Sequence, residues 1–98
     1  MKYVHKYGVE LEGLLKKTAK NKVLLRELLS DLLSPAEYKD LAVRWQIVKQ
    51  LQKGLPQRDI AKNLKVSIST VTRGSREMMN KNGGFVKVLK KYYSKHIN

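Results

Sequence analysis

Between residues 57 and 76 the sequence QRDIAKNLKVSISTVTRGSR concentrates side chains suited to gripping a polyanion. Ser67, Ser69, Thr70 and Thr72 are short hydroxyls that can bond phosphate oxygens or base edges, and Arg73 and Arg76 stand behind them with guanidinium groups. Catalysis has no comparable candidates. The chain lacks cysteine, its histidines His5 and His96 lie near the ends, and no pair of carboxylates stands apart from basic neighbours. Cysteine's absence also removes disulfides and cysteine zinc sites and fits a reducing compartment. We expect neither enzymatic activity nor a bound metal.

Charge points the same way. The chain holds 21 Lys+Arg against 8 Asp+Glu, a formal net charge of +13. Residues 1–48 carry 9 basic and 6 acidic side chains, whereas residues 49–98 carry 12 and 2. Such a distribution selects a polyanion as partner, although a lysine-rich solvated surface would carry the same charge. At 98 residues the chain makes one domain with a small core, so stability is thin unless something supplements it. The stretch MKYVHKYGVELEG has no apolar signal segment, and no apolar run reaches the ~20 residues that span a bilayer. A soluble, cytoplasmic protein with no membrane partner is expected.

To position those side chains the chain must fold as helix, because its apolar residues recur at helical steps and never alternate as in a strand. Val4, Tyr7, Leu11, Leu14, Leu15 and Thr18 form one stripe; after Asn21 and Lys22, Leu24, Leu25, Leu28, Leu29, Leu32 and Leu33 form another. In LSPAEY, Ser34 can cap a helix, Pro35 suits its first position, Glu37 can complete a capping box, and Leu33 and Tyr38 can form a staple. That helix is predicted over 35–53, ended by Gly54 in the left-handed region, with Pro56 blocking its resumption. The string NKNGG after Met79 breaks the chain again. Phe85, Val88, Leu89, Tyr92 and Tyr93 then mark a last amphipathic helix, whose opposite side, Lys87, Lys90, Lys91 and Lys95, reads as a solvated face.

Within the basic half, QRDIAKNL forms a short helix that buries Ile60, Ala61 and Leu64, and Lys65-Val66-Ser67 forms a turn. Ser67 caps a second helix whose inner face is Ile68 and Val71, with Met78 extending it. This is the helix-turn-helix arrangement. Lys65 stands where glycine is usual, and a non-glycine residue at positive φ costs on the order of 1 kcal/mol. The candidate surface for double-stranded DNA is Gln57, Arg58 and Lys62 from the first helix, Lys65 from the turn, and Ser67, Ile68, Ser69, Thr70, Thr72, Arg73 and Ser75 from the second.

These motifs resemble the Trp repressor family. From Leu33 to Phe85 the chain carries LSPAE, an arginine within the long helix in AVRWQIV, then GLPQRDIAKNL, and then TVTRGS. The last phrase is the specific one, since QRDIA and VSIST are shared by many DNA-binding families. The resemblance implies an all-α fold: a six-helix intertwined homodimer whose two heads face successive major grooves of a palindromic operator, as a transcriptional repressor. It divides the chain into dimerisation helices over 1–56, a DNA-binding head over 57–80 and a C-terminal helix over 84–98. The leucine stripes of residues 11–33 point to the same homodimer, being too wide for one chain to cover.

The resemblance further implies L-tryptophan as corepressor, its indole between two arginines that correspond to Arg44 and Arg73. A guanidinium plane can stack on an indole face and can also bond a carboxylate in bidentate fashion. Gly74 would allow the ligand to approach the helix closely. The segment Leu32-Leu33-Ser34 of the partner subunit would offer backbone carbonyls to the ammonium and the Ser34 hydroxyl to the carboxylate.

Two departures stand out. Glu77 occupies the position where the family has a serine facing the ligand's amino group, and the connection from Gly54 to Gln57 is one residue shorter than a common family pattern. Glu77 could pair with the ammonium of tryptophan, fill the pocket, or sit against Arg73 four residues earlier. Ser34 is equally explained as a helix cap, Arg44 as an ion-pair partner of Asp40, and Trp45 as a core or interface residue. The alternatives to a tryptophan-dependent repressor are a regulator of the same fold with a different effector or none, and a non-specific basic nucleic-acid-binding protein.

Overall fold

Short polar stops set the helix boundaries. The computed structural model describes residues 5–93, and within them the chain forms α1 (Lys6–Thr18), α2 (Lys22–Leu32), α3 (Pro35–Gln52), α4 (Gln57–Leu64), α5 (Ile68–Met78) and α6 (Gly84–Tyr93), with no strand among the described residues. The fold is the all-α one expected. Val4, Lys95 and His96 lie outside the described residues. Two compact units divide the chain at residues 39 and 40, and α3 runs through the division.

In the first unit α1 packs on α2. His5 caps α1 by accepting a hydrogen bond from the Tyr7 amide, and Asn21 caps α2 by accepting one from the Leu24 amide at 3.1 Å. The two leucine stripes form as the spacing requires, yet neither α1 nor α2 contains a buried residue. Leu11, Leu14, Leu24 and Leu32 remain between 41% and 49% exposed. Two helices alone offer too little facing surface to bury stripes of this width.

Ser34 and Glu37 form the capping box that opens α3. The Glu37 amide donates to Ser34 Oγ at 3.1 Å, and the Ser34 amide donates to Glu37 Oε1 at 2.8 Å. At the other end, Gly54 takes φ 85° and the Leu55 amide reaches back to the Gln50 carbonyl, so the helix closes with a left-handed cap.

The second unit has its core in Ile47 of α3, Ile60 of α4 and Val71 of α5, with Val43, Leu51, Ala61, Leu64 and Val66 packed around them. Val48 and Leu89 are buried as well. Trp45 belongs to this packing: its ring centroid lies 5.6 Å from that of Tyr93 and 6.4 Å from that of Phe85, joining α3 to α6. Ile68 departs from expectation. It sits 54% exposed rather than on the inner face of α5. It is the first residue of the helix, and because side chains lean toward the helix N-terminus, it projects past the last turn that could cover it.

Candidate nucleic-acid interface

Helices α4 and α5 are tied together at both ends of the turn between them. Lys65 adopts φ 57° and ψ 45°, the left-handed conformation that the turn requires. Around it the Lys65 amide reaches the Lys62 carbonyl and the Val66 amide reaches the Ala61 carbonyl at 3.0 Å, satisfying carbonyls that α4 leaves open. Val66 packs into the core and fixes the direction in which the chain leaves the turn. The turn is thus the one in which glycine is usual, and lysine bears its conformational cost.

Ser67 opens α5, its Oγ accepting the Thr70 amide at 3.2 Å. The same oxygen lies 2.8 Å from Thr70 Oγ1 and 3.0 Å from Ser69 Oγ. Three hydroxyls therefore form one cluster at the helix N-terminus, where backbone dipoles favour an anion. Ser67, Ile68, Ser69, Thr70 and Arg73 are all exposed, as are Arg58 and Lys62 on α4 and Lys65 in the turn. Ser75 is half-buried.

Thr72 and Gln57 differ from the rest of the set. Both are half-buried, and Thr72 Oγ1 lies 2.8 Å from Gln57 Oε1 as well as 2.9 Å from the Ile68 carbonyl. A hydroxyl has one proton, which these two acceptors share. The pair clamps the first turn of α4 to the middle of α5. Both residues read as DNA contacts from the sequence, because the bond spans 15 residues and no local spacing announces it.

For the residues assigned to a small ligand the placement is mixed. Arg44 and Arg73 are both exposed, and Arg44 forms no ion pair with Asp40 among the described residues. A β-carbon on Gly74 would meet Ile47 Cγ2 at 2.9 Å and Leu51 Cδ1 at 3.8 Å. The space beside Gly74 is filled by α3, so close helix packing is a reason for that glycine besides the ligand approach expected of it. The crossing it sets is informative. Arg73 adjoins Gly74, and Arg44 lies one helical turn before Ile47 on the same side of α3, so both guanidinium groups belong to elements meeting at this point. Glu77 is half-buried on α5.

Leu33 and Ser34 belong to the first unit. Leu33 and Tyr38 line one cleft of about 390 Å³ together with Arg26, Ser30 and Pro35. Ser34 Oγ accepts the Glu37 amide as a cap, which leaves its O–H proton available to an acceptor, so capping and carboxylate binding are compatible in this serine.

No helix among the described residues is long and apolar enough to cross a membrane, and no group of three or more His, Cys, Asp or Glu among them could hold a metal ion. The profile of one known family, described as Trp repressor protein, matches residues 10–93. A Trp operon repressor homolog from Mannheimia succiniciproducens is 39% identical over 74 residues, covering 74% of this chain and 73% of that protein. One from Chlamydia trachomatis is 41% identical over 68 residues, covering 68% and 72%, and one from Pasteurella multocida is 49% identical over 51 residues, covering 51% and 50%.

Proposed function

The chain belongs to the Trp repressor family, a family of transcriptional repressors, and on that premise we propose that it binds a palindromic operator in double-stranded DNA as a homodimer, with L-tryptophan as corepressor. One observation carries the DNA reading: a left-handed turn at Lys65 presents a helix N-terminus with three exposed hydroxyls, flanked by Arg58, Lys62 and Arg73. Hydroxyls and amides at such an end can bond phosphate and base edges, while the cations set affinity. In this reading residues 57–80 are the DNA-binding head, the dimerisation helices precede it, and the C-terminal helix starts at residue 84.

The homodimer is supported by the exposed stripes of α1 and α2, which a second copy would cover. At ~25 cal/mol per Å², burying several half-exposed leucines per chain contributes multiple kcal/mol, comparable to the whole stability of a small domain. L-tryptophan is supported by the chemistry of Arg44 and Arg73, two exposed guanidinium side chains carried on helices that pack together at Gly74 and Ile47, each able to stack on an indole or to hold a carboxylate. Leu33 and Ser34 would come from the second copy.

Selection of duplexes from a random-sequence library, run with and without L-tryptophan, tests the whole proposal. Enrichment of a palindrome only when tryptophan is present is the expected result. A palindrome enriched equally in its absence would retain the repressor and remove the corepressor. No enriched sequence at all would leave a charge-driven nucleic-acid binder and overturn sequence-specific repression.

A further inference from the structure

Thr72 has no hydroxyl proton to give to DNA. Its Oγ1 lies 2.8 Å from Gln57 Oε1 and 2.9 Å from the Ile68 carbonyl, both of them acceptors, so its single proton is spent inside the protein. A phosphate oxygen only accepts, which leaves Thr72 nothing to bond it with. Gln57 is the reverse case. Its Oε1 faces Thr72, and Nε2, on the other arm of the planar amide, carries two N–H groups that meet no acceptor among the described residues. Turned over, the amide would spend one N–H on Thr72 and still keep the other free.

Stability gives a weak reason for this bond. Helices α4 and α5 are already joined through Ile60 and Val71, both 0% exposed, and through the turn at Lys65, whereas Thr72 and Gln57 are only half-buried. A neutral hydrogen bond still open to water adds little to such a core. What the bond does is order a long side chain in advance. A free glutamine loses rotamer freedom when a partner fixes it, and Gln57 is fixed beforehand.

We infer that Thr72 is a positioning residue, which holds the Gln57 side-chain amide so that its N–H groups bond a phosphate of the DNA backbone. Gln57 opens α4, the first helix of the pair, and in this arrangement the first helix crosses the sugar-phosphate backbone while the second enters the groove. A donor at that place meets phosphate oxygens, and a phosphate contact fixes orientation without reading sequence. The inference rests on the DNA-binding reading above and divides the work of two of its residues: Gln57 touches the backbone, and Thr72 acts through Gln57.

A double-mutant cycle read by fluorescence anisotropy tests this, with a random-sequence duplex and a library-selected one, L-tryptophan being present with both. Thr72→Val removes the hydroxyl at nearly the same shape, and Gln57→Ala removes the amide. Each change should weaken binding by roughly threefold to tenfold, equally on the two duplexes. In the Gln57→Ala background Thr72→Val should alter affinity by less than about 1.5-fold. Thr72→Ser keeps the hydroxyl and should stay within about twofold of wild type. Gln57→Glu still accepts from Thr72 but sets a carboxylate against the phosphate, so it should bind more weakly than Gln57→Ala.

An equal loss from Thr72→Val with and without Gln57 overturns the inference, because Thr72 then acts on its own. A loss confined to the selected duplex also overturns it, since Thr72 would be reading a base. A Gln57→Glu chain that binds like wild type removes the phosphate contact. Circular dichroism melts identify any variant that fails to fold, and should Thr72→Val do so, Thr72→Ala takes its place in the cycle. If selection yields no preferred sequence, sequence-specific repression fails separately and the cycle is read on random duplex alone. If wild type holds neither duplex, the DNA-binding reading falls and this inference falls with it.

Discussion

Ile47 fills the space that a side chain at Gly74 would need: its Cγ2 is 2.9 Å from where a β-carbon would lie. Cγ2 sits at the branch of a β-branched residue and cannot swing aside as a chain end can. Gly74→Ala should therefore lower stability by about 1–3 kcal/mol, through overpacking, even though alanine is the better helix former. In an Ile47→Ala background the same change should cost far less, and a double-mutant cycle by urea denaturation measures the difference. Equal cost in both backgrounds would show that the glycine serves something other than this crossing.

Lys65 offers the opposite experiment. Its φ of 57° is strained for any residue with a β-carbon, so Lys65→Gly should raise stability by about 1 kcal/mol, or several degrees in melting temperature. Lys65→Ala keeps the strain and should give no such gain. If Lys65 also contacts a phosphate, the glycine variant should be more stable yet bind random duplex with a salt slope smaller by about one. A Lys65→Gly chain that melts lower would show that the lysine makes a stabilising contact.

The capping box of α3 predicts an acid-sensitive helix start. The Ser34 amide, and secondarily its hydroxyl, hold the Glu37 carboxyl below its ordinary value of 4.5. A carboxyl depressed in the folded state stabilises that state at pH above its unfolded value, and the benefit is lost as pH falls from there through the folded value. Titration of Glu37 by carboxyl carbon NMR should give a midpoint under 4.5, and Glu37→Gln should flatten stability against pH in that range alone. Ser34→Ala should cost about 1 kcal/mol near neutral pH, as lost N-caps do.

Ser34→Asp separates capping from ligand binding. Aspartate caps as well as serine, but a carboxylate repels the carboxylate of an amino acid. Stability should hold while calorimetric affinity for L-tryptophan falls at least tenfold. Affinity that survived would remove Ser34 from the ligand site.

Glu77 should distinguish ligands by their ammonium group. Its carboxylate favours L-tryptophan, a zwitterion, over indole-3-propionate, which has the same carboxylate but no ammonium to offset it. Heat from tryptophan and weaker binding of the propionate are expected. Tighter binding of the propionate would remove the role given to Glu77, and no heat with millimolar tryptophan would remove the corepressor.

What the sequence could disclose was local. Ser34 with Pro35, Gly54 before Pro56, and Ser67 after Lys65 are signals written within a few residues, and the helices begin and end beside them. The predicted end of the long helix, Lys53, differs by one residue from the observed Gln52. Relationships across the fold were not legible. Gly74 meets Ile47 across 27 positions and Thr72 meets Gln57 across 15, so each residue suggested a ligand or DNA role that a distant neighbour partly explains. Ile68 repeats with Val71 at helical spacing, but periodicity does not reveal that the side chain of the first residue of α5 stays exposed.

The packing of Trp45 against Tyr93 and Phe85 makes the chain its own optical probe. With a single indole, intrinsic emission reports one place, the seat of α6 on α3, and the Tyr93 ring at 5.6 Å passes its excitation to that indole most efficiently while the seat holds. Tyrosine-excited and tryptophan-excited emission should therefore part company as soon as α6 lifts away. Their comparison with the circular dichroism of all the helices shows whether the C-terminal helix leaves before the rest or in one cooperative step.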